Sequence, residues 1–317
     1  MQDKKLLIIA NPKSGKAKVK DLLLQMVQIF SNDGYLVTVY PTKARGDATT
    51  FAAQIKENEY DRIVVCGGDG TLNEVITGFM QSGLKCTIGY VPLGTLNEWS
   101  SSLNISRNAL TAAKDILDGE YTELDIGQFN DKYFTYTASF GAFTKASYAT
   151  SQKVKNVLGQ AAYFLSGIKC LADIKPIHLK FKYDDKEIEG DYLFGAISNS
   201  MSVGGVVKFK ESLVKLNDGL FEVVLIKKPH SIGEFNSIVN GILRKDLTHD
   251  GIEFFHTKEI TVIGGSKVAW TLDGEYAAGS DEVTITNIPS TLHLTIPNET
   301  KRAKKRAKKS SKKKSKE

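Results

Sequence analysis

The sequence has few of the residues and segments that define several large protein classes. Its 317 residues include three cysteines, Cys66, Cys86 and Cys170, an odd number without the close pairs that a zinc site needs. No apolar run approaches the roughly 18 residues that cross a bilayer, and Leu6–Ala10 near the N-terminus is too short for a signal peptide. These absences argue against a disulfide scaffold, a zinc protein and a membrane-spanning protein, and we expect a cytoplasmic protein.

An excess of positive charge is confined to one end of the chain. The formal charge is +6, but residues 301–317 contribute +10, so residues 1–300 carry −4. A like-charged run repels itself, which predicts a disordered tail over residues 298–317. Three interpretations of the tail stay open: a solubilising segment, a contact with anionic lipid headgroups at a membrane surface, and nucleic-acid binding. The tail contains no aromatic residue to stack on bases, which disfavours the third.

The first part of the chain alternates short apolar runs with longer amphipathic segments. The runs predict strands at Leu6–Ala10, Leu36–Tyr40, Arg62–Cys66 and Thr87–Val91. The amphipathic segments predict helices at Val19–Phe30, Asp47–Glu57, Leu72–Met80 and Ala109–Leu117. Continuous apolar strands are typical of parallel sheets covered on both faces, so we predict an α/β domain with a parallel sheet over residues 1–130.

The second part is rich in strands and turns. Strands are predicted at Tyr133–Ser139, Ile177–Tyr183, Lys186–Ile197, Leu220–Ile226, Glu259–Ile263, Lys267–Leu272 and Glu282–Thr286, with one helix over Lys155–Leu171. We predict a mainly antiparallel β domain, a two-layer sandwich, over residues 131–297. The last predicted strand, Thr291–Ile296, is compatible with either domain.

The segment Gly67–Val75 carries the strongest chemical pattern. Three glycines surround Asp69 between a buried strand and a helix, which lets the backbone approach a ligand and suits a phosphate at the helix N-terminus. Since Asp69 would repel phosphate, it is better explained as holding Mg²⁺, directly or through water. The alternative is a tight turn in which Asp69 caps the helix.

Two other strand-to-helix turns have related chemistry. Asn11–Lys16 follows the first strand, and Pro92–Glu98 follows the fourth. Because parallel strands bring their carboxyl ends to one edge, we expect all three loops to meet in one crevice. Lys13 or Lys16 would neutralise phosphate charge, and Ser14 and Thr95 would donate hydroxyl hydrogen bonds.

The glycine spacing does not fit a standard P-loop, a protein-kinase loop or a dinucleotide fingerprint. Six motifs instead occur in the order of a known family: Asn11–Gly15, the glycine–Asp loop with Asn73-Glu74, Pro92–Thr95, Leu124–Gly127, Asp218-Gly219 and Leu272–Glu275. The chain thus resembles the diacylglycerol kinase catalytic-domain family, most closely the bacterial soluble lipid kinases.

The resemblance implies an ATP- and Mg²⁺-dependent kinase acting on a lipid hydroxyl, most simply diacylglycerol. The residues implied to contact ATP are Asn11, Pro12, Lys13, Ser14, Gly15, Thr42, Gly68, Asp69, Gly70, Thr71, Leu72, Asn73, Glu74 and Thr95. A magnesium network would involve Asp69, Asp125 and Glu98. A second, structural magnesium would bind the carbonyls of Lys215 and Leu220 and the side chain of Asp218.

The resemblance also implies a catalytic base within Asp273-Gly274-Glu275, and Glu275 is the favoured candidate. In an extended segment both carboxylates would point to one side, where one would orient the other. The alternative is a surface hairpin turn. We therefore predict Glu275, Asp273 and Asp69 as catalytic residues.

Two departures from the family pattern leave alternatives open. Glu98 stands where the family usually has Asp, and the proline usually found upstream of Asp218 is missing. A regulator that binds nucleotide and lipid without turnover and a small-molecule kinase similar to NAD kinase are the competing functions. The sequence does not identify the acceptor lipid, and the relatives suggest a homodimer and peripheral membrane association.

Overall fold

The computed structural model describes residues 4–14, 18–94, 97–141, 175–204, 207–266 and 268–298, without the side chains of Lys18 and Glu98. The chain forms two compact units. The first comprises the residues up to Leu124 together with those from Thr291 onwards, and the second is Asp125–Ser290. The predicted helix Lys155–Leu171 and the tail from residue 301 lie outside the described residues.

The first unit is built on a parallel sheet flanked by helices. Its strands are β1 (Lys4–Ala10), β2 (Tyr35–Pro41), β3 (Arg62–Gly67) and β4 (Thr87–Pro92). Its helices are α1 (Lys18–Asn32), α2 (Asp47–Ala52), α3 (Asp69–Ser82), α4 (Glu98–Ser102) and α5 (Ala109–Asp118). The strands pair in parallel in the order β2-β1-β3-β4.

Burial along these strands follows their positions in the sheet. Every residue of β3 is buried, and so are Leu6–Ala10 of β1, because helices cover both faces. The edge strand β2 alternates instead, with Leu36 60% exposed. The predicted parallel α/β domain is confirmed.

The second unit is mainly antiparallel. Its strands are β5 (Glu120–Phe129), which begins in the first unit, β6 (Lys132–Phe134), β7 (Thr137–Gly141), β8 (Ile177–Tyr183), β9 (Lys186–Ser198), β10 (Ser202–Val203), β11 (Val207–Lys208), β12 (Phe221–Lys227), β13 (Ile252–Thr257), β14 (Glu259–Ile263), β15 (Ala269–Leu272), β16 (Glu275–Ala278) and β17 (Glu282–Ile296). Helix α6 (Ile232–Arg244) lies between β12 and β13. The predicted antiparallel, sandwich-like β domain is confirmed.

Two apolar clusters fill the second unit. The larger one includes Phe140, Phe181 and Trp270, and the smaller one packs Ile238 and Ile242 of α6 against the opposite face of β12. Successive side chains of β12 point to opposite faces of the sheet, so Val223 belongs to the larger cluster and Val224 to the smaller one.

The strand β17 contributes to both units. Its residues Glu282–Thr286 pair antiparallel with β14 in the second unit. Its residues His293–Thr295 pair in parallel with β4 and extend the sheet of the first unit. The last predicted strand therefore returns to the first unit. Within the described ranges, no helix combines the length and the apolar character needed to span a bilayer.

Candidate functional site

The first and second loops of the α/β unit are joined by hydrogen bonds. Asn11, directly after β1, donates its backbone N–H to the carbonyl of Cys66 at 2.9 Å. The Asn11 side chain donates to the Thr71 hydroxyl at 3.1 Å, and its Oδ1 accepts from the N–H of Lys13. Asn11 thus fixes the start of its own loop and attaches that loop to the glycine–Asp loop.

The second and third loops meet through their backbones. The N–H of Leu93 donates to the carbonyl of Gly67 at 2.7 Å. A Cβ added to Gly94 would lie 2.7 Å from the Cα of Gly68, so a side chain at this position would clash with the backbone. The side chain of Asn97 accepts from the Gly94 N–H and donates to the Gly94 carbonyl, which holds the third loop in this close approach. The predicted convergence of the loops is therefore visible in Asn11, Gly68 and Gly94.

Asp69 is the first residue of α3 and does not cap it. The residue before the helix is Gly68, which is extended and makes no side-chain cap. One carboxylate oxygen of Asp69 accepts from the Tyr90 hydroxyl at 3.4 Å. Burial and the charge of Asp69 raise the pKa of Tyr90 well above its usual value. The capping alternative for Asp69 is wrong, and its carboxylate stands at the N-terminus of α3.

The remaining predicted ATP contacts differ in their surroundings. Glu74 accepts from the N–H of Gly46 at 2.9 Å, and the N–H of Thr42 donates to the carbonyl of Ala10. Leu72 is buried, which indicates a packing role. Pro12, Ser14, Gly70 and Asn73 are half-buried, and Lys13 is exposed. Gly15, Lys16, Thr95 and the side chain of Glu98 lie outside the described residues, so their roles stay predictions.

Asp125 organises a turn in the second unit. Its carboxylate is fully buried and accepts from the N–H groups of Gly219 at 2.7 Å and Ser290 at 2.9 Å. Asn199 donates to the carbonyl of Asp125, and the N–H of Asp125 donates to the carbonyl of Leu216. Asp125 therefore shapes the segment that carries the predicted metal ligands.

Those predicted ligands are Lys215, Asp218 and Leu220. Lys215 and Asp218 are exposed, and Asp218 accepts from the N–H of Leu220 at 3.1 Å. Two residues after Leu220, Glu222 is fully buried, and neither of its carboxylate oxygens has a hydrogen-bond partner among the described residues. No three acidic, histidine or cysteine side chains among the described residues form a metal-binding group, so a magnesium ion at Lys215, Asp218 and Leu220 stays a prediction.

The candidate base lies in a tight hairpin between β15 and β16. Leu272 pairs with Glu275, and both Asp273 (φ 50°) and Gly274 (φ 86°) have positive φ, as in a type I′ turn. The prediction of an extended segment with both carboxylates on one side is wrong, because an Asp-Gly pair readily adopts the left-handed conformations of this turn. The hairpin alternative describes the backbone correctly.

The hairpin gives its two acids opposite environments. Asp273 is buried and accepts from Thr135 N–H at 2.6 Å, Thr135 Oγ1 at 2.7 Å, Tyr136 N–H at 2.9 Å and Thr137 N–H at 3.0 Å. Burial raises the pKa of Asp273, and the four donors oppose that shift. Glu275 is exposed at the start of β16. The geometry thus assigns Asp273 to holding the turn and leaves Glu275 accessible.

Sequence reasoning missed three residues that the structure attaches to these sites. Tyr90 reads as an ordinary core residue within an apolar strand, and Asn97 reads as part of a turn. Glu222 reads as a single charged residue beside the apolar run of its strand, which does not by itself predict that it is buried. All three become visible only when the strands are paired and the loops are placed.

Comparisons with known proteins give the family. Residues 5–129 match the model of the diacylglycerol kinase catalytic domain, and residues 137–296 match that of the YegS C-terminal NAD kinase beta sandwich-like domain. A diacylglycerol kinase of Bacillus subtilis (strain 168) is 34% identical over 298 residues, covering 93% of this chain and 97% of the relative.

Two further relatives agree over similar lengths. A diacylglycerol kinase of Staphylococcus saprophyticus is 32% identical over 299 residues, covering 94% of this chain and 97% of that protein. A crystal structure from Bacillus anthracis str. Sterne superposes with a TM-score of 0.78 at 25% identity, covering 94% of this chain and 96% of that one. The predicted resemblance is confirmed, and the chain belongs to the diacylglycerol kinase family of lipid kinases.

Proposed function

We propose that this protein is an ATP- and Mg²⁺-dependent kinase that phosphorylates the hydroxyl of diacylglycerol and yields phosphatidic acid. The observation that carries the proposal is the meeting of three strand-to-helix loops in the first unit, joined at Asn11, Gly68 and Gly94. Relatives named diacylglycerol kinase, similar over nearly their whole length, support the acceptor.

The first unit binds ATP in this proposal. The N-terminus of α3 carries partial positive charge, and the glycines before it let the backbone approach a polyphosphate. Lys13, exposed after β1, would neutralise phosphate charge in this proposal. The predicted contacts Gly15, Lys16 and Thr95 belong to the proposal on the strength of their motifs alone.

Magnesium accompanies the nucleotide. Asp69 is the residue proposed to hold it, with Glu98 and Asp125 as predicted members of the same network. When bound, Mg²⁺ would neutralise charge on the phosphates and on the transferring phosphoryl group. The Tyr90 hydroxyl restrains Asp69 through the 3.4 Å hydrogen bond.

Glu275 is the proposed general base. It accepts the proton of the acceptor hydroxyl while that oxygen forms its bond to the γ-phosphorus, and the bond between the γ-phosphorus and the bridging oxygen breaks to release ADP. An exposed carboxylate on a rigid hairpin suits this role. Asp273 acts through the hairpin and is a positioning residue.

The acceptor carries acyl chains, so the reaction takes place at a membrane surface in this proposal. The basic residues 301–317 would assist through anionic headgroups. A homodimer stays a prediction carried over from the family resemblance.

The proposal is tested by measuring ATP consumption and lipid phosphorylation with diacylglycerol in mixed micelles. The wild type is expected to form phosphatidic acid in the presence of Mg²⁺ and none with excess EDTA. Glu275→Gln is expected to lower kcat by about 100-fold or more, since general base catalysis contributes roughly 10²- to 10⁴-fold. Asp69→Asn is expected to lower activity and to raise the Mg²⁺ concentration required.

The matched control is Glu282→Gln, an exposed acid in the same unit, which is expected to keep wild-type kcat. Nucleotide binding without phosphorylation of any lipid would contradict the proposed kinase activity. It would favour the alternative function of a regulator that binds nucleotide and lipid without turnover. A parallel assay with NAD as acceptor distinguishes the small-molecule kinase, because the C-terminal match is to an NAD kinase beta sandwich-like domain.

A further inference from the structure

Helix α6 carries more apolar side chains than its packing uses. Ile238 and Ile242 are buried in the smaller cluster of the second unit, and the half-buried Phe235 packs against that cluster. Ile232 is 81% exposed and Leu243 is 51% exposed, although both are large aliphatic residues. They are two of the six large apolar or aromatic side chains that are exposed in the described residues. The helix therefore has an apolar surface that the described residues leave open.

The exposed side chains form one stripe along the helix. Ile232, the half-buried Val239 and Leu243 follow one another at intervals of seven and four residues. With about 100° of rotation per residue, all three fall within about 40° of one another, whereas the buried pair Ile238 and Ile242 is centred about 100° away. The stripe thus lies on the flank of α6 and not against the sheet.

Cations lie at both ends of this stripe. Lys228 precedes it by four residues, and Arg244 and Lys245 directly follow it, all three of them exposed. Lys227 pairs with Glu253 of β13 at 2.6 Å. Residues 227–246 contain four Lys or Arg residues and two acids, a net charge of +2, whereas residues 1–300 together carry −4. The helix is therefore a locally positive, apolar surface on an acidic body.

We propose that the apolar stripe and its flanking cations bind the surface of an anionic lipid bilayer. Aliphatic side chains of such a helix enter the boundary between headgroups and acyl chains, and Lys and Arg side chains extend to the headgroup phosphates. This contact differs from the one assigned to residues 301–317, which offer charge without any large apolar side chain. It goes beyond the proposed function, because it assigns a membrane-binding surface to the second unit.

A second copy of the chain fits the same surface less well. In a symmetric pair the stripe of one copy would lie against the stripe of the other. Antiparallel helices would bring Lys228 of one copy toward Arg244 and Lys245 of the other, and parallel helices would place identical cations side by side. These like charges repel each other, whereas anionic headgroups neutralise the cations at both ends. The charge pattern thus favours a lipid surface.

Vesicle sedimentation of the 317-residue chain tests the proposal. At about 1 M NaCl the Debye length is about 3 Å, so contacts of the basic tail are screened while apolar contacts persist. On vesicles of phosphatidylcholine mixed with phosphatidylglycerol, Ile232→Gln and Leu243→Gln are each expected to weaken binding about fivefold, and the double variant about 20-fold. Leu24→Gln, at a 77% exposed leucine of α1, is the matched control and should bind as the wild type does. Equal binding by the double variant and the wild type would overturn the proposal.

The cations are tested at low salt. Changing Lys228, Arg244 and Lys245 together to Gln is expected to weaken binding to the anionic vesicles by at least about tenfold, since each basic residue near the surface contributes. Binding to vesicles of phosphatidylcholine alone should stay unchanged, because these vesicles carry no net charge. Unchanged binding to the anionic vesicles would contradict the assigned role of the cations.

A tryptophan placed in the stripe reports the contact directly and covers the case in which a Gln variant does not fold. The native Trp99 and Trp270 are both buried, so a new exposed indole dominates any change that vesicles cause. Ile232→Trp is expected to shift its emission to shorter wavelength when anionic vesicles are added, whereas Leu24→Trp should show no shift. An emission spectrum of Ile232→Trp that vesicles do not change would contradict insertion of the stripe.

Two further measurements separate the remaining outcomes. A wild-type dimer that dissociates in the double variant, with vesicle binding unchanged, would assign the stripe to a second copy and overturn the proposal. Kinase activity rests on the proposed function and is assayed apart: the double variant should keep wild-type turnover of a dispersed short-chain diacylglycerol and lose turnover on vesicles. Absent turnover by the wild type would count against the proposed kinase alone, because vesicle binding requires neither ATP nor catalysis.

Discussion

Asp273 and Glu275 stand two residues apart and have different chemical capacities. The carboxylate of Asp273 already accepts four hydrogen bonds from residues 135–137, which leaves little capacity to receive a substrate proton. Glu275 is exposed and follows the turn directly. The pair therefore divides into a residue that fixes the backbone and a residue proposed to move a proton.

Tyr90 provides a prediction at the same scale. Tyr90→Phe removes the hydroxyl that donates to Asp69 and is expected to lower kcat/KM for ATP about three- to tenfold, the effect of losing one hydrogen bond. Because Tyr90 acts through Asp69, the loss should grow as Mg²⁺ becomes limiting, which a Mg²⁺ titration of the rate measures. Tyr192→Phe, at an equally buried tyrosine of the second unit, is the control. Equal Mg²⁺ dependence in Tyr90→Phe and wild type would contradict this role.

The residues of the loops are easier to recognise in the sequence than the residues that hold those loops in place. Asp69 and Gly68 stand out because three glycines around an acid serve no ordinary purpose in a strand or helix. Tyr90 and Asn97 do not stand out, since a tyrosine in an apolar strand and an asparagine in a turn are common. Their roles depend on which atoms the fold brings within hydrogen-bond distance.

At the scale of elements, the β15–β16 hairpin couples backbone conformation to the proposed base. Gly274→Ala is expected to destabilise the protein by about 1 kcal/mol, because Gly274 has φ +86° and an L side chain is strained there. The nearest atom to an added Cβ is the Tyr136 hydroxyl at 4.0 Å, so the strain comes from the backbone and not from a clash. Urea unfolding measures the stability, and kcat is expected to fall as Glu275 shifts.

Two other substitutions make this prediction specific. Gly233→Ala, in α6, has ordinary φ and room for a methyl group, so its stability should be unchanged or higher. Gly274→Asn should recover part of the stability and kcat, since asparagine tolerates the left-handed region. A Gly274→Ala protein with wild-type stability would show that the turn is not strained.

The predicted elements were correct where the apolar pattern was long and continuous. The strands of the parallel sheet agree closely, whereas Tyr133–Ser139 divides into β6 and β7 around a turn. Helix α6 was missed although its start carries a capping pattern: Ser231 accepts from the N–H of Glu234, and Glu234 accepts from the N–H of His230. The capping residues at the start of α6 are a local sequence signal for this helix, separate from the spacing of its apolar residues.

At the scale of the whole molecule, charge is divided between an acidic body and a basic end. Removing residues 301–317 is expected to weaken binding to vesicles that contain anionic lipid by at least about tenfold, because each basic residue near the surface contributes roughly 1 kcal/mol. Vesicle sedimentation at low and high salt measures this effect, and neutral vesicles serve as the control. Equal binding by both proteins would favour the solubilising interpretation, and salt-sensitive DNA binding lost with the tail would favour nucleic acid.

The overall architecture could be predicted from the sequence, because the pattern of predicted elements changes from alternating strands and helices to a series of strands. The unit to which the last strand belongs could not be predicted in this way. Both halves of β17 alternate with a period of two residues, so the pattern fits either unit. Its assignment depends on pairing with β4, a long-range contact that no local pattern encodes.

That pairing has a consequence for how the protein is made. The parallel sheet of the first unit includes residues from both before and after the second unit in the sequence. During synthesis the β-rich insert is complete on the ribosome before the earlier unit receives its final strand. A stop at residue 291 would therefore leave the second unit whole and remove from the first unit the segment that pairs with β4.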